Sequence, residues 1–411
     1  MRSITHSAPV QQEPPHTFEP PFCLNPKCPF HSEHIVAQAP CPWFYRHGSY
    51  DTEAFGAVPR FRCRHCRRGC SRQSFRLDYY AKRIVDYREV LRQLVSCGST
   101  RDMSRAFCAT TSTVANRIER LARGAAALHA GVLQRVGVAE PLVIDGFQNF
   151  AVSKYFPNNI NLMVGQHSGL LYDCDYRTIR RSGRMSEPQR ERREQLEQHF
   201  RAPSNALVEG FRTLVDSAMR VRSHLQRCTD AESAAGEAAE QSSEAIGTLR
   251  LLSDEKSEYK RALSSDPHYR RLVVSGLIVH ECTLSTEART MSNPLFVVNY
   301  LDRQLRKDLK ECVRHTVCFG RNVSNVMQRM LLYRLYHNHY KAYRHHRPKE
   351  RHEQRVGVEQ AWIEGKLSRL YEWRPFLSRT PTIETDRLVW LRQLVTPLGK
   401  EHEYLPKFAL A

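Results

Sequence analysis

The sequence predicts an α/β protein in which a mixed sheet with flanking helices follows a small cysteine-rich segment and a helical domain. Three observations predict this order. Cys23, Cys28, Cys41, Cys63, Cys66 and Cys70 crowd the start of a 411-residue chain that holds 13 cysteines in all. Residues 78–128 carry apolar side chains at a helical period. From Glu140 the pattern changes to short, closely spaced apolar runs, PLVIDGFQNF, NINLMVG and GLLYDCDY, which are strand-like.

The length allows two or three domains, each with its own core. The formal charge is +19 and the isoelectric point about 9.6. A field of that sign draws polyanions, which leaves nucleic acid or an anionic membrane as partner. No apolar run approaches the ~20 residues of a membrane span, and the N-terminus lacks a charged-then-apolar signal pattern. The expectation is therefore a nucleic-acid partner, no membrane, and the reducing cytoplasm.

Residues 1–21 are polar and proline-rich without periodicity and read as a mobile lead-in. Residues 22–76 hold two short cysteine pairs, Cys23 and Cys28 in CLNPKCPFH and Cys63 and Cys66 in FRCRHCRRGCS. Each pair sits on a tight turn that aims both sulfurs at one point, the arrangement that closes a tetrahedral thiolate site for structural Zn²⁺. Without a secretory signal, clustered thiols read as metal ligands rather than disulfides. A redox pair would need a βαβ context that is missing here. Four residues separate the first pair instead of two, so His31 or Cys41 stands as an alternative to one of its members, as does Cys70; His65 lies inside the second turn. Arg60, Arg62, Arg64, Arg67, Arg68 and Arg72 surround the second pair, fitting a zinc ribbon that faces phosphates.

Residues 77–135 contain SCGSTRDMSRAFCATTSTVANRIERLAR. Asp102–Phe107 is expected to form one helix with Met103 and Ala106 inward, Ala109–Ser112 a turn, and Val114, Ile118 and Leu121 the inner face of a second helix capped by Ser112 or Thr113. In a helix-turn-helix the second helix enters the major groove, which turns Thr111, Ser112, Thr113 and Asn116 toward base edges. Arg117, on another face of that helix, joins them as a DNA contact.

Residues 140–343 are expected to hold the sheet, with a charged helical insertion at about 187–246 that reads partly as linker. Asp145 ends the apolar run PLVI, and Asp254 ends LRLLS. An acid at the tip of a buried strand, repeated on a second strand, presents carboxylates to a metal without burying charge in the core. NPLFVVNYLDRQLRKDL supplies a third. Leu301, Leu305, Leu309 and Val313 recur at steps of four and make a docking stripe, with Asp302 beside it and Arg306 one turn further along, spaced for an ion pair with Asp302. Three carboxylates can bind two Mg²⁺ or Mn²⁺ ions roughly 4 Å apart for an in-line phosphoryl displacement. Asp173, Asp175, Glu255 and Asp266 compete for these roles and rank below, and His280 and His315 read as structural or solvated. Residues 344–411, with three of the four tryptophans, carry no pattern that assigns a role.

Strand with acid, two further strands, a strand with acid and a later helix with acid is the layout of an RNase H-like fold. The chain resembles bacterial insertion-sequence transposases of the three-carboxylate DDE/D class, in the group with an N-terminal zinc ribbon and helix-turn-helix. VIDGF with Asp145 resembles that group's first catalytic strand, and LLSDEKSEY with Asp254 and Tyr259 its second acid motif. YLDRQLRKDLKECVRHTVCFGRN is similar to the last motif, with Asp302, Arg303, Arg314, Phe319 and Arg321 in corresponding places. It departs by Asp for Glu at 302 and by lacking the Asn two residues on. The resemblance implies Mg²⁺-dependent hydrolysis and strand transfer at the terminal inverted repeats of an insertion sequence. It also implies double-stranded target DNA, a homodimer or higher multimer on that DNA, and association with the nucleoid, with Arg303, Arg306, Arg314 and Arg321 on phosphates. A catalytically inactive DNA-binding regulator and an RNase H-like nuclease or resolvase are the alternatives.

Overall fold

This computed structural model describes residues 18–234, 247–313, 316–344 and 349–399. Most of the expected lead-in, the end of the expected insertion, Arg314 and His315 lie outside the described residues. The architecture is mixed α/β, with a three-stranded and a five-stranded sheet.

The cysteine-rich segment contains helix α1 (Glu33–Gln38) and an antiparallel sheet of β1 (Phe44–Thr52), β2 (Gly56–Cys63) and β3 (Gly69–Ser71). Phe18, Phe22, Phe61 and Phe75 form its small aromatic core. Three helices follow, α2 (Tyr87–Leu94), α3 (Thr100–Ala106) and α4 (Thr111–Val136). Helix α3 starts earlier than the periodicity predicts because Ser99 and Asp102 form a reciprocal capping box. Met103 is buried, but Ala106 is exposed at the helix end rather than inward. Thr110, not Ser112 or Thr113, caps α4 by accepting from the Thr113 backbone N–H, so the turn is two residues shorter at its far end.

The large sheet is built from β4 (Leu142–Phe150), β5 (Pro157–Gly165) and β6 (Leu171–Thr178), then β7 (Leu249–Asp254) and β8 (Ile278–Thr283), in the order β6-β5-β4-β7-β8. The first three strands run antiparallel, while β4, β7 and β8 run parallel. Between β6 and β7 lie α5 (Glu187–Glu197) and α6 (Ala206–Ala234), and between β7 and β8 lie α7 (Ser257–Ser264) and α8 (Pro267–Val274). After β8 come α9 (Phe296–Asp308), α10 (Val323–His339), α11 (His352–Arg355), α12 (Gln360–Leu370) and α13 (Glu384–Trp390).

Alternation along the strands divides two apolar layers. Val143, Phe147 and Leu252 pack with α4, α9, α10 and α12 on one face, and Leu142, Ile144 and Leu251 pack with α6 and α7 on the other. The expected insertion is thus partly core, since Phe211, Leu214 and Val215 of α6 cover the sheet. On α9 the docking stripe is Val298, Leu301 and Leu305, continued by Leu309 just past the helix end. Val313 lies beyond that end and is 37% exposed.

Helix α4 runs unbroken from the three-helix region into the layer beneath the sheet, so the two regions share one apolar core. The C-terminal segment joins it through Leu370, Val389 and Trp390. It also ties down the cysteine-rich segment. The Leu77 N–H donates to the Glu372 carbonyl at 2.8 Å, the Arg374 N–H donates to that of Phe75 at 2.8 Å, and Phe376 enters the aromatic core. No helix among the described residues is long and apolar enough to cross a membrane.

Candidate acidic site and cysteine cluster

Ile144 pairs with Ser253 across the parallel strands β4 and β7, so Asp145 and Asp254 come next to each other one residue further on. Both follow by two the inward residues Val143 and Leu252, which puts the two acids on the face covered by α9. Gly146 is needed beside them, because a Cβ there would come 2.2 Å from Asn159 Oδ1. The α9 stripe brings Asp302 within electrostatic reach of Asp145 and Lys256. Its carboxyl is pushed up to about 7, first by burial and then by the charge of Asp145, while Arg306 and Lys256 pull it down. Asp302 Oδ1 is buried with no hydrogen-bond partner among the described residues.

Lys256, two residues after Asp254, enters this cluster from the β7–α7 turn. Its Nζ lies 3.0 Å from Asp145 Oδ1 and 3.2 Å from Asp254 Oδ2, and its backbone N–H donates to Asp254 Oδ1. Burial works against the ammonium, but Tyr259, Asp145 and Asp254 outweigh it and raise the lysine above its usual range. The Tyr259 ring stacks on Phe211 at 4.8 Å and fixes the turn from below. Sequence reasoning missed Lys256 although LLSDEKSEY displays it. The available signal was a cation two residues past a strand-end acid, close enough to fold back on it.

Arg306 does not take up the expected pairing geometry with Asp302. Its guanidinium lies 4.5 Å over the Phe147 ring and donates to the carbonyls of Gln148 and Cys312, so it acts on Asp302 as a nearby charge. Arg303 and Arg321 are exposed, and Arg314 is outside the described residues. The competing acids have other partners. Asp175 pairs with Arg177, Asp173 accepts from the Thr385 hydroxyl, Glu255 accepts from the Ser285 N–H, and Asp266 caps α8. His280 Nε2 lies 2.8 Å from Ser253 Oγ, with burial and then Lys260 holding the imidazole below its usual value.

At the start of α4, Thr111 and Ser112 are exposed and Thr113 and Asn116 partly so. Arg117 is turned inward, 4% exposed, donating to the Arg83 carbonyl and to Asn116 Oδ1 at 2.8 Å each. Arg120 is buried over the Tyr79 ring. Both guanidinium groups brace the helices rather than face solvent.

Cys23, Cys28, Cys63 and Cys66 bring their sulfurs within 4.8 Å of one another. Two of the sulfur pairs stand at 3.4 Å (Cys23 and Cys66) and 3.8 Å (Cys28 and Cys63). A tetrahedron with metal–sulfur bonds of about 2.3 Å has edges of roughly 3.8 Å, so the cluster can hold a metal ion. The second turn is shaped by Arg67 at φ 61 and by a Cys63 N–H bond to the Arg68 carbonyl. Burial works against thiolate formation at Cys66, but the Arg68 N–H and the neighbouring thiol of Cys23 lower it to about 7. The alternatives settle elsewhere. His31 uses Nδ1 on the Cys23 carbonyl and Nε2 on Ser378, and Cys41 is exposed. Cys70 stays outside the cluster, with burial pushing its thiol up to about 12, and His65 Nδ1 stands 3.7 Å from Cys28 Sγ. Among the described residues the three aspartates do not close to the spacing of the cysteines, and Lys256 stands between two of them.

Comparison with protein-family models, with curated proteins and with solved structures returned no match in any of the three.

Proposed function

We propose that the chain is a DNA transposase of the three-carboxylate class, with an RNase H-like catalytic sheet and a structural Zn²⁺ in its cysteine cluster. The observation that carries this reading is that Asp145 and Asp254 stand side by side on two adjacent parallel strands, while Asp302, on the helix that covers that face, feels the charge of Asp145. The order β6-β5-β4-β7-β8 and the parallel pairs on one side of β4 support the fold assignment. Asp302 Oδ1, without a hydrogen-bond partner among the described residues, suits a cation, and divalent ions held by the three acids would activate the attacking oxygen and neutralise the leaving one. Exposed Arg303 and Arg321 would hold the DNA backbone, and Thr111, Ser112, Thr113 and Asn116 would meet base edges.

The chemistry is two displacements at phosphorus. Water bonds to phosphorus as the P–O3′ bond at the element's end breaks, leaving a 3′-hydroxyl and a 5′-phosphate. That hydroxyl then attacks a target phosphorus and expels the target's 3′-oxygen. A dimer on paired ends would couple the two events.

The experiment incubates the protein with Mg²⁺, a supercoiled plasmid and labelled duplexes from the borders of its own gene, and scores nicking and joining of label to plasmid. Joined product from the parent, and none from D145N, D254N or D302N, is expected. Nicking without joining would indicate a nuclease instead. The ammonium of Lys256 between two of the acids favours a second reading, a DNA-binding regulator without catalysis, for which duplex binding persists and no product forms.

A further inference from the structure

Lys256 occupies the place where the first cation of the proposed catalytic site would sit. Its Nζ touches one oxygen of Asp145 and one of Asp254, and those oxygens belong to strands held in fixed parallel register. Both strands are packed on two faces by the core, so an ion bound between the two carboxylates would compete with the ammonium for the same oxygens. The lysine can leave. Its side chain is 27% exposed and reaches the acids from a turn on a flexible four-carbon stem, so rotation about that stem carries Nζ to solvent without moving backbone. Ammonium and divalent cation are therefore alternatives at one position. A third group decides between them, and exposed Arg303 and Lys307 on α9, the helix that carries Asp302, favour a phosphate backbone.

We propose that Lys256 couples metal loading to DNA binding: its ammonium fills the gap between Asp145 and Asp254 in the free protein, and a DNA phosphate draws it away, opening the acids to a divalent ion. The inference rests on reading the three aspartates as a metal site. By linkage, DNA then raises metal affinity and metal raises DNA affinity by the same factor. The free protein is kept from loading metal, and from cutting, until a phosphate backbone lies along α9.

The test measures Mn²⁺ binding to the full chain by electron paramagnetic resonance, with and without a short duplex, for the parent, K256M, K256Q and D145N. D145N with the same duplex is the blank for ions held by the DNA itself. The expected result is weak binding by the free parent, tightened on the order of 10-fold or more by the duplex. K256M and K256Q should bind tightly without DNA and gain little from it. Two substitutions of different polarity guard against a folding defect in one of them. If the free parent binds Mn²⁺ as tightly as both variants, or the duplex tightens all of them equally, the coupling is wrong while the metal site stands. If neither parent nor variants bind Mn²⁺ under any condition, the metal reading falls and this inference with it.

Discussion

Asp145 and Asp254 are neighbours across two parallel strands, each one residue past the paired Ile144 and Ser253 and on the face that α9 covers. Two acids so placed repel each other, and a partly exposed lysine is their only common counter-ion among the described residues. D145N or D254N should abolish Mg²⁺-dependent cleavage by at least about 100-fold, since ion coordination supplies several kcal/mol to such a reaction. Both variants should melt within a few degrees of the parent, because removing one acid also removes the repulsion. D302N should lose cleavage to the same extent yet melt higher than the parent at pH 8, as a buried carboxylate oxygen with no hydrogen-bond partner among the described residues becomes neutral. Retained cleavage in any of the three would remove that residue from the site.

The cysteine cluster predicts one Zn²⁺ per chain, and elemental analysis of purified protein measures it. C66S or C28S should lose the ion, whereas C41S and C70S should keep it. The small core of this segment rests on few aromatic side chains, so a strong chelator should open residues 18–76 to proteolysis while the five-stranded sheet stays folded. Uniform protease resistance after complete metal removal would count against a structural ion.

Phe376 is expected to anchor the cysteine-rich segment from the far end of the chain. It lies in one aromatic core with Phe22 and Phe75, at ring separations of 5.2 and 5.9 Å, and Arg379 covers Phe22 at 3.7 Å while pairing with Glu33. F376A should cost this segment about 3 to 5 kcal/mol, the usual penalty for emptying a buried aromatic position. R379A should cost less, since its ionic partner Glu33 is 78% exposed. Hydrogen exchange in β1–β3 measures both. Unchanged protection in F376A would mean that the C-terminal segment does not hold the cysteine-rich one.

What the sequence made legible follows the strength of each local signal. β4 and β5 are buried on both faces, so their apolar runs stand out, and an acid ending such a run is conspicuous. β8 is an edge strand whose His280 and Glu281 break the apolar run, so its sequence shows no clear strand pattern. α6 hides its sheet-covering residues among charges, which made it look like an insertion. The turn before α4 was misplaced because Thr110, Ser112 and Thr113 are all good caps, and only the backbone geometry selects Thr110. Arg117 was assigned by its charge, yet it lies on the inner side of α4 where a carbonyl of the Arg83 turn receives it. The role of residues 349–399 depends on contacts with segments some 300 residues away in sequence, such as His31 with Ser378 at a separation of 347, and no local pattern encodes those.

Asp173 should impose a pH dependence on stability that is separate from any catalysis. It sits on β6, wholly buried, beside the ion pair of Arg334 and Asp386, so two acids share one guanidinium. Burial first and Asp386 second push its carboxyl up to about 6, against the pull of Ser217, Thr385 and Arg334. An unfolded chain releases that proton near 3.9. Between about pH 4 and pH 6 the folded protein therefore holds a proton that the unfolded chain has lost, and stability falls as pH rises through that window. Two pKa units correspond to on the order of 3 kcal/mol. Asp175, also pushed up to about 6 by burial against the pull of Arg177, contributes in the same window, so D173N should remove only part of the slope. Asn keeps the shape and the Thr385 contact, so D173N should gain on the parent steadily as pH rises from about 4 to 6 and hold a constant advantage above it. Urea midpoints across that range measure the difference, and a gap between parent and D173N that does not vary with pH would show that Asp173 is ionised in the fold throughout.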